Sequence, residues 1–395
     1  MALVKKLLFT ILILGICVNA FGAKQQYPAE GTLAFLGLDN TSAPTIIQDN
    51  RAANLQNIML NLDGSAEKRE GYDTVNDILD GPDAVDNFES ITGGYELRTS
   101  GGTNYNLAIC GSRFFYDNDG TWTRIYGATI TEGQNYQFVW TTALDTAIAT
   151  NNQDVPIKCA GTTQNNVVFT GLTDTITKAK CVIWWKNYLI WGNITSDRAH
   201  TTRIRWSNVG TIETYTDADY IDIATEGGQQ IEGFGILYDN LYVFMGNSIY
   251  KVSLVGGDDV FVISKVAEGI GCVAKNSIQN ITIQNTEHLT FLSRDGNIYT
   301  LSGIGVNEIS LLIRGTTSGL KVSRLQYAVS GNDLADKHYY LSVTNTEAAT
   351  TNNLLLDFYY EIGEWSKHTD INANCMWTAD DADGFPQIFF GSDNS

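Results

Sequence analysis

The feature that most constrains this chain is a strand–turn–strand unit that keeps returning along its 395 residues. Tyr188-Leu189-Ile190-Trp191 runs into a polar stretch, and Arg203-Ile204-Arg205-Trp206-Ser207 follows. Leu241-Tyr242-Val243-Phe244 is answered across Gly246-Asn247 by Ser248-Ile249-Tyr250-Lys251-Val252. Leu289-Thr290-Phe291-Leu292 is answered across Asp295-Gly296 by Asn297-Ile298-Tyr299-Thr300-Leu301. β-Branched and aromatic side chains suit a pleated, half-buried surface, and Gly, Asn and Asp tolerate the positive φ of a tight hairpin. Comparable units centre near residues 111–120, 150–155, 192–203, 246, 296 and 337–340, with another near 359–364. Beyond residue 90 no segment keeps a helical apolar period for three turns.

Units of this kind spaced about 40 to 55 residues apart match the four-stranded blade of a propeller. One blade cannot bury both its faces, so such sheets stack around an axis. The expected fold is all-β and β-propeller-like, with about six or seven blades of antiparallel strands; paired β-sandwiches are the competing architecture. Three parts are expected: a leader over 1–22, an extended or irregular segment over 23–90, and a propeller-like body over 91–395. Within the second, residues 48–57 read as a short helical turn ahead of a strand from Ile58 to Leu62. At the far end Gln387–Phe390 reads as a strand and Gly391–Asn394 as its turn, which leaves a hairpin without its second strand. Either the N-terminal segment supplies that strand and closes the ring, or the last hairpin is incomplete.

The leader expectation rests on Lys5 and Lys6 ahead of the apolar run Leu7–Val18, with small residues at Ala20, Gly22 and Ala23. A basic start, a short apolar stretch and a small-residue exit make a secretory signal, cleaved near Ala20 or Gly22. An uncleaved anchor or a start placed too far upstream gives the same pattern. Of the six cysteines, Cys17 lies in this leader. Cys110, Cys159, Cys181, Cys272 and Cys375 are widely spaced, mostly in apolar runs, and read as buried free thiols rather than a disulfide framework.

Charge narrows the function. Forty-four acidic against 25 basic side chains give a formal charge of −19. Gripping nucleic acid needs Lys and Arg to displace counterions, so the charge argues against a DNA-binding module but not against a wall past which DNA slides without sticking. The same charge also serves plain solubility. Catalytic patterns are missing: His200, His288, His338 and His368 form no H-E-x-x-H frame, and there is no nucleophile elbow or phosphate loop. Gly233-Phe234-Gly235 and Gly269-Ile270-Gly271 lack the third glycine of a dinucleotide fingerprint. Asp117-Asn118-Asp119-Gly120 and Asp381-Ala382-Asp383-Gly384 look like half a calcium loop. With glycine at the sixth position, however, the first and twelfth fall on Phe115 and Tyr126, or Ala379 and Phe390, which bring no carboxylate. Both read as hairpin turns. No catalytic, cofactor-binding or metal-ligating residue is assigned and no cofactor is expected. Trp184-Trp185 is the candidate interface anchor, one of the pair being expected in the core.

Several stretches, in order, resemble one family. Gly37-Leu38-Asp39-Asn40-Thr41-Ser42-Ala43-Pro44 precedes Asn54-Leu55-Gln56-Asn57 and Lys68-Arg69-Glu70-Gly71-Tyr72. Later come Val167–Gly171, Arg203–Asn208, Ile221-Asp222-Ile223, Ile231-Glu232-Gly233, Leu241–Phe244, Ser248-Ile249-Tyr250 and Phe291–Gly296. Leu356-Asp357 with Glu364-Trp365-Ser366 completes the series. It is similar to the tail hub, nozzle or packaged-DNA-stabilisation proteins of short-tailed bacteriophages. The resemblance implies a non-enzymatic virion subunit of the tail that joins a homo-oligomeric ring, meets portal or adaptor and tail proteins, and lets genomic DNA pass without sequence-specific binding. A leader and an early chain end stand outside that pattern. A secreted or surface β-propeller that binds glycan or protein is the alternative, and a secreted propeller hydrolase is a third.

Overall fold

A strand covered on both faces shows a continuous apolar run rather than alternation, and the middle strands of this chain follow that rule. The computed structural model describes residues 34–73, 89–118, 120–225, 227–257, 260–381 and 384–392; the expected leader over 1–22 lies outside them. A small hairpin comes first, β1 (Ile58–Leu60) with β2 (Ala66–Lys68). The first blade is β3 (Ile91–Arg98), β4 (Asn104–Cys110), β5 (Arg113–Asn118) and β6 (Thr121–Ile125). The second is β7 (Val139–Ala143), β8 (Thr146–Thr150), β9 (Ile157–Ala160) and β10 (Thr163–Asn166). The third is β11 (Lys178–Trp185), β12 (Tyr188–Thr195), β13 (Ala199–Trp206) and β14 (Tyr220–Asp222). The fourth is β15 (Ile231–Leu237), β16 (Asn240–Met245), β17 (Ser248–Leu254) and β18 (Phe261–Glu268). The fifth is β19 (Gln279–Ile283), β20 (Thr286–Leu292), β21 (Ile298–Ser302) and β22 (Gly305–Glu308). The sixth is β23 (Val329–Asp333), β24 (His338–Val343), β25 (Leu354–Tyr359) and β26 (Glu364–His368), and a last hairpin pairs β27 (Ala373–Asp380) with β28 (Pro386–Ser392).

Within each blade the strands follow in chain order and every pairing is antiparallel. The first strand of each sheet touches the first strand of the next: β3 meets β7, then β11, β15, β19, β23 and β27 follow, and β27 returns to β3. Among the described residues this is a β-propeller of six four-stranded blades, with a two-stranded sheet set between the sixth and the first. The three hairpins read from sequence are β12–β13, β16–β17 and β20–β21, the second and third strands of their blades.

Blade-to-blade contact explains glycines inside strands. A Cβ on Gly94 would stand 2.0 Å from Trp377 Cε3, and one on Gly192 would stand 2.4 Å from Phe234 Cζ. These glycines are sockets for the aromatic side chain of the adjoining sheet. Gly391 makes room for an aliphatic neighbour instead: a Cβ there would come 2.5 Å from Ile91. The expected turn is thus corrected at Gly391 and Ser392, because β28 runs on through them and is itself the second strand of the last hairpin; Asp393 and Asn394 lie outside the described residues.

Residues 48–57 are turns and isolated bridges and not the expected helical turn, and the strand at Ile58 ends at Leu60. No apolar helical stripe forms because this stretch pairs outward. Gln56 bridges Lys367 in parallel, and Leu38 N donates to Trp365 O at 3.0 Å. The described part of the N-terminal segment therefore lies along the outer edge of the sixth blade, while β27–β28 spans the gap in the ring. Leu38, Leu55 and Leu60 enter the same buried cluster as Tyr339, Phe358 and Trp365, each buried leucine contributing about 2 kcal/mol. Arg51 locks the segment with two hydrogen bonds to Glu364, at 2.7 and 2.6 Å.

Candidate functional site

The axis is the natural place for a site, because every sheet sends its first strand there. A cavity of about 640 Å³ runs along it. Tyr95 comes from β3, Trp140 from β7, Ile183 from β11, Phe234 from β15, Asn332 from β23 and Trp377 from β27. The wall is aromatic and aliphatic, and the two ends are polar.

Next to one end, beside the lining residues Lys275, Phe138 and Cys375, lies a knot of amides. Gln137 Nε2 donates to Tyr327 O at 2.9 Å and to Asn374 O at 3.0 Å. Asn374 Nδ2 donates to Gln134 O at 3.0 Å, and Asn352 Nδ2 donates to Ala373 O at 3.0 Å. Gln137, Asn352 and Asn374 are all buried. Buried amides need partners, and here those partners are the chain entries to neighbouring blades. Lys275, just ahead of β19, joins the knot through Nζ, which donates to Gln137 O at 2.6 Å. Burial pushes its ammonium down to about 7, and the charge of Lys180 adds to the effect against Glu232. Lys180 itself pairs with Glu232.

At the other end Arg98 reaches Asp380 at 2.6 Å and Glu96 at 2.5 Å. Two carboxylates share one guanidinium there, so this mouth keeps a net negative charge.

A second polar cluster sits inside the sixth blade. His338 Nδ1 lies 2.6 Å from Asp357 Oδ1, and His368 Nε2 lies 3.0 Å from Asp357 Oδ2. Ser366 Oγ donates to Asp357 Oδ2 at 3.2 Å. His338 stacks on Tyr359 and Tyr340, with ring centroids 4.6 and 5.7 Å apart. Burial opposes charge on Asp357, but His338 and then His368 outweigh it and hold the carboxyl at about 2. Burial also opposes charge on His338, and Asp357 again wins, raising it above the ordinary imidazole value. Serine, histidine and aspartate meet here without the order of a hydrolytic triad. Ser366 and His368 share one carboxylate oxygen, and both are buried where no substrate reaches. The cluster is a brace between β24, β25 and β26.

The other sequence candidates disperse. His200 lies 3.1 Å from Asp197 on the third blade, and burial lowers the pKa of His288 on β20. Gly233 and Gly235 lie in β15 and no helix follows them. Gly120 N donates to Asp117 Oδ1 at 2.9 Å and Phe385 N to Asp381 Oδ1 at 2.9 Å, so both acidic stretches are hairpin turns. Asp119, Ala382 and Asp383 lie outside the described residues. Among the described residues no three His, Cys, Asp or Glu side chains gather to hold a metal. Trp185 is buried with Nε1 donating to Asp239 O at 3.1 Å, while Trp184 is half-buried. The five described cysteines are all free and buried, and burial pushes each thiol up to about 12.

Sequence reasoning missed both the axial lysine and the Asp357 brace. Their partners sit on different strands, and only the register brings them together.

The ring of radially stacked antiparallel sheets makes this a β-propeller protein. No family model matches the chain, and no curated protein matches it in sequence. Among solved structures, YCF48 from Cyanidioschyzon merolae aligns at 13% identity over 78% of this chain and 95% of that one, with a TM-score of 0.44. Apo AztD from Citrobacter koseri aligns at 12% identity over 76% of this chain and 80% of its own, with a TM-score of 0.40.

Proposed function

We propose that this chain is a non-enzymatic virion protein of a tailed phage. It serves as a tail nozzle or neck component that assembles into a ring, contacts portal or adaptor and tail proteins, and forms part of the DNA channel. The observation that carries this reading is where the resembling stretches meet. The first and last of the ordered series, more than 300 residues apart, are joined face to face. Leu38 N donates to Trp365 O at 3.0 Å, Asn57 N to Lys367 O at 2.8 Å, and Arg51 grips Glu364. Between them, Arg203 binds Asp222 with two bonds of 2.7 Å, and Ser207 Oγ ties Leu189 N, Asn208 O and Thr211 O together. Some of the resembling stretches thus carry bonds that tie distant parts of the chain together, which supports a rigid, load-carrying subunit. A charge of −19 would repel DNA phosphate and keep such a wall non-adhesive.

Mass spectrometry of purified DNA-filled particles, and of periplasm and culture fluid, tests the reading. Stoichiometric recovery of this chain in the particles is the expected result. Recovery only outside them, beginning near Phe21 or Ala23, would overturn it and leave a secreted or surface propeller binding glycan or protein as the working description.

A further inference from the structure

We propose that the axial cavity is a binding site for a small organic monoanion with a flat apolar body, its anionic head seated against Lys275. The volume, about 640 Å³, falls within the range of small-molecule sites. Tyr95, Trp140, Phe234, Ile278, Met376 and Trp377 line it, a wall that favours a planar apolar group. Lys275 lines the cavity beside the amide knot, and its ammonium is in no ion pair among the described residues, Glu232 acting on it only at longer range. An ammonium has three donors, and its hydrogen bond goes to the main-chain oxygen of Gln137 at 2.6 Å. The neighbouring charges cancel, since Lys180 on β11 is paired with Glu232 on β15. Cys181 also faces Lys275 but is held protonated by burial. A half-buried ammonium that meets only a main-chain oxygen gains from an entering anion. The other end selects for low charge. Glu96 and Asp380 share Arg98 there and leave a negative rim that repels polyanions. A carboxylate or sulfonate on an aromatic or fused-ring body fits these constraints, whereas a polyphosphate or a nucleic-acid strand does not. This assignment does not depend on the virion reading.

Calorimetric titration of the full-length protein with 2-naphthoate and with its neutral isostere 2-naphthamide tests the site. We expect naphthoate to bind at least about tenfold tighter than naphthamide at pH 6.5. With Lys275 displaced to about 7, that advantage shrinks about tenfold by pH 8.5 as the ammonium loses its proton. K275M should bind both probes equally. Failure of naphthoate to bind, equal binding of both probes to the unaltered protein, or an undiminished preference in K275M would each overturn the proposal. Should K275M not fold, the isostere pair and the pH series on the unaltered protein still decide.

Discussion

Replacing Asp357 by Asn tests the brace of the sixth blade with almost no change of shape. The carboxylate accepts from His338 at 2.6 Å, from His368 at 3.0 Å and from Ser366 at 3.2 Å. An amide keeps one oxygen but turns two hydrogens toward groups that expected an acceptor, and it removes the charge. Asn thus imitates the protonated acid, whose disadvantage in the folded protein is measured by the displacement of the carboxyl from 3.8 to about 2. At about 1.4 kcal/mol per pH unit this amounts to about 2–3 kcal/mol. Urea unfolding at pH 7 should therefore find D357N less stable by about 2–3 kcal/mol, with an unchanged slope against urea. The difference also has a required pH dependence. A carboxyl whose folded value lies below its unfolded one stabilises above about 4, and that stability is lost as pH falls toward 2. The two proteins should converge over that window. A difference below about 0.5 kcal/mol at pH 7, or one that persists at pH 2, would refute the account of the brace.

Other outcomes follow from the same geometry. His338 has a raised value, so its contribution is present below about 6.5 and lost as pH climbs through the folded value. D357N should flatten that alkaline decline in a series of thermal melts. G94V should cost at least about 3 kcal/mol, because the first carbon of any side chain would lie 2.0 Å from Trp377; calorimetric melting measures the drop. R51M leaves Glu364 buried without its cation and should cost about 3–5 kcal/mol, with limited proteolysis cutting first between residues 34 and 73. Iodoacetamide at pH 8 should leave Cys110, Cys159, Cys181, Cys272 and Cys375 unmodified in the folded protein, since each is buried with its thiol near 12. Labelling should appear on all five in urea, read by peptide mass spectrometry.

The blades were legible where glycine marks the turn. Gly246-Asn247 and Asp295-Gly296 announce the turns between second and third strands. The turns between first and second strands of the third, fourth and fifth blades carry no such mark. Lys186-Asn187, Tyr238-Asp239 and Gln284-Asn285 hold φ values of 51 and 63, 47 and 63, and 48 and 60 degrees. These are paired left-handed residues without glycine, tolerated because Asn and Asp accept that region and the hairpin twist demands it. Conversely, Gly391 reads as a turn but is a packing socket, since the need for room at Ile91 lies 300 residues away. The axial site was illegible for a related reason. Lys275 looks like one more surface lysine until β11, β15 and the entry to β7 are set around it. His338 and His368 looked unrelated until the register placed Asp357 between β24 and β26.

The seam at β27–β28 has a consequence for how the molecule is made. The sheet packs on β23 behind it and on β3 ahead of it, and the second contact joins residues nearly 300 positions apart. Neighbouring blades can dock as the chain lengthens, but this one joint must wait until the chain has run as far as Ser392. Up to then the six blades form an open arc, with Gly94 lacking its tryptophan and two flat apolar flanks facing water. Closing so long a loop adds an entropic cost that grows only slowly with length, yet it delays the final contacts. The cavity on the axis, whose wall needs both β3 and β27, comes into being only when that arc shuts.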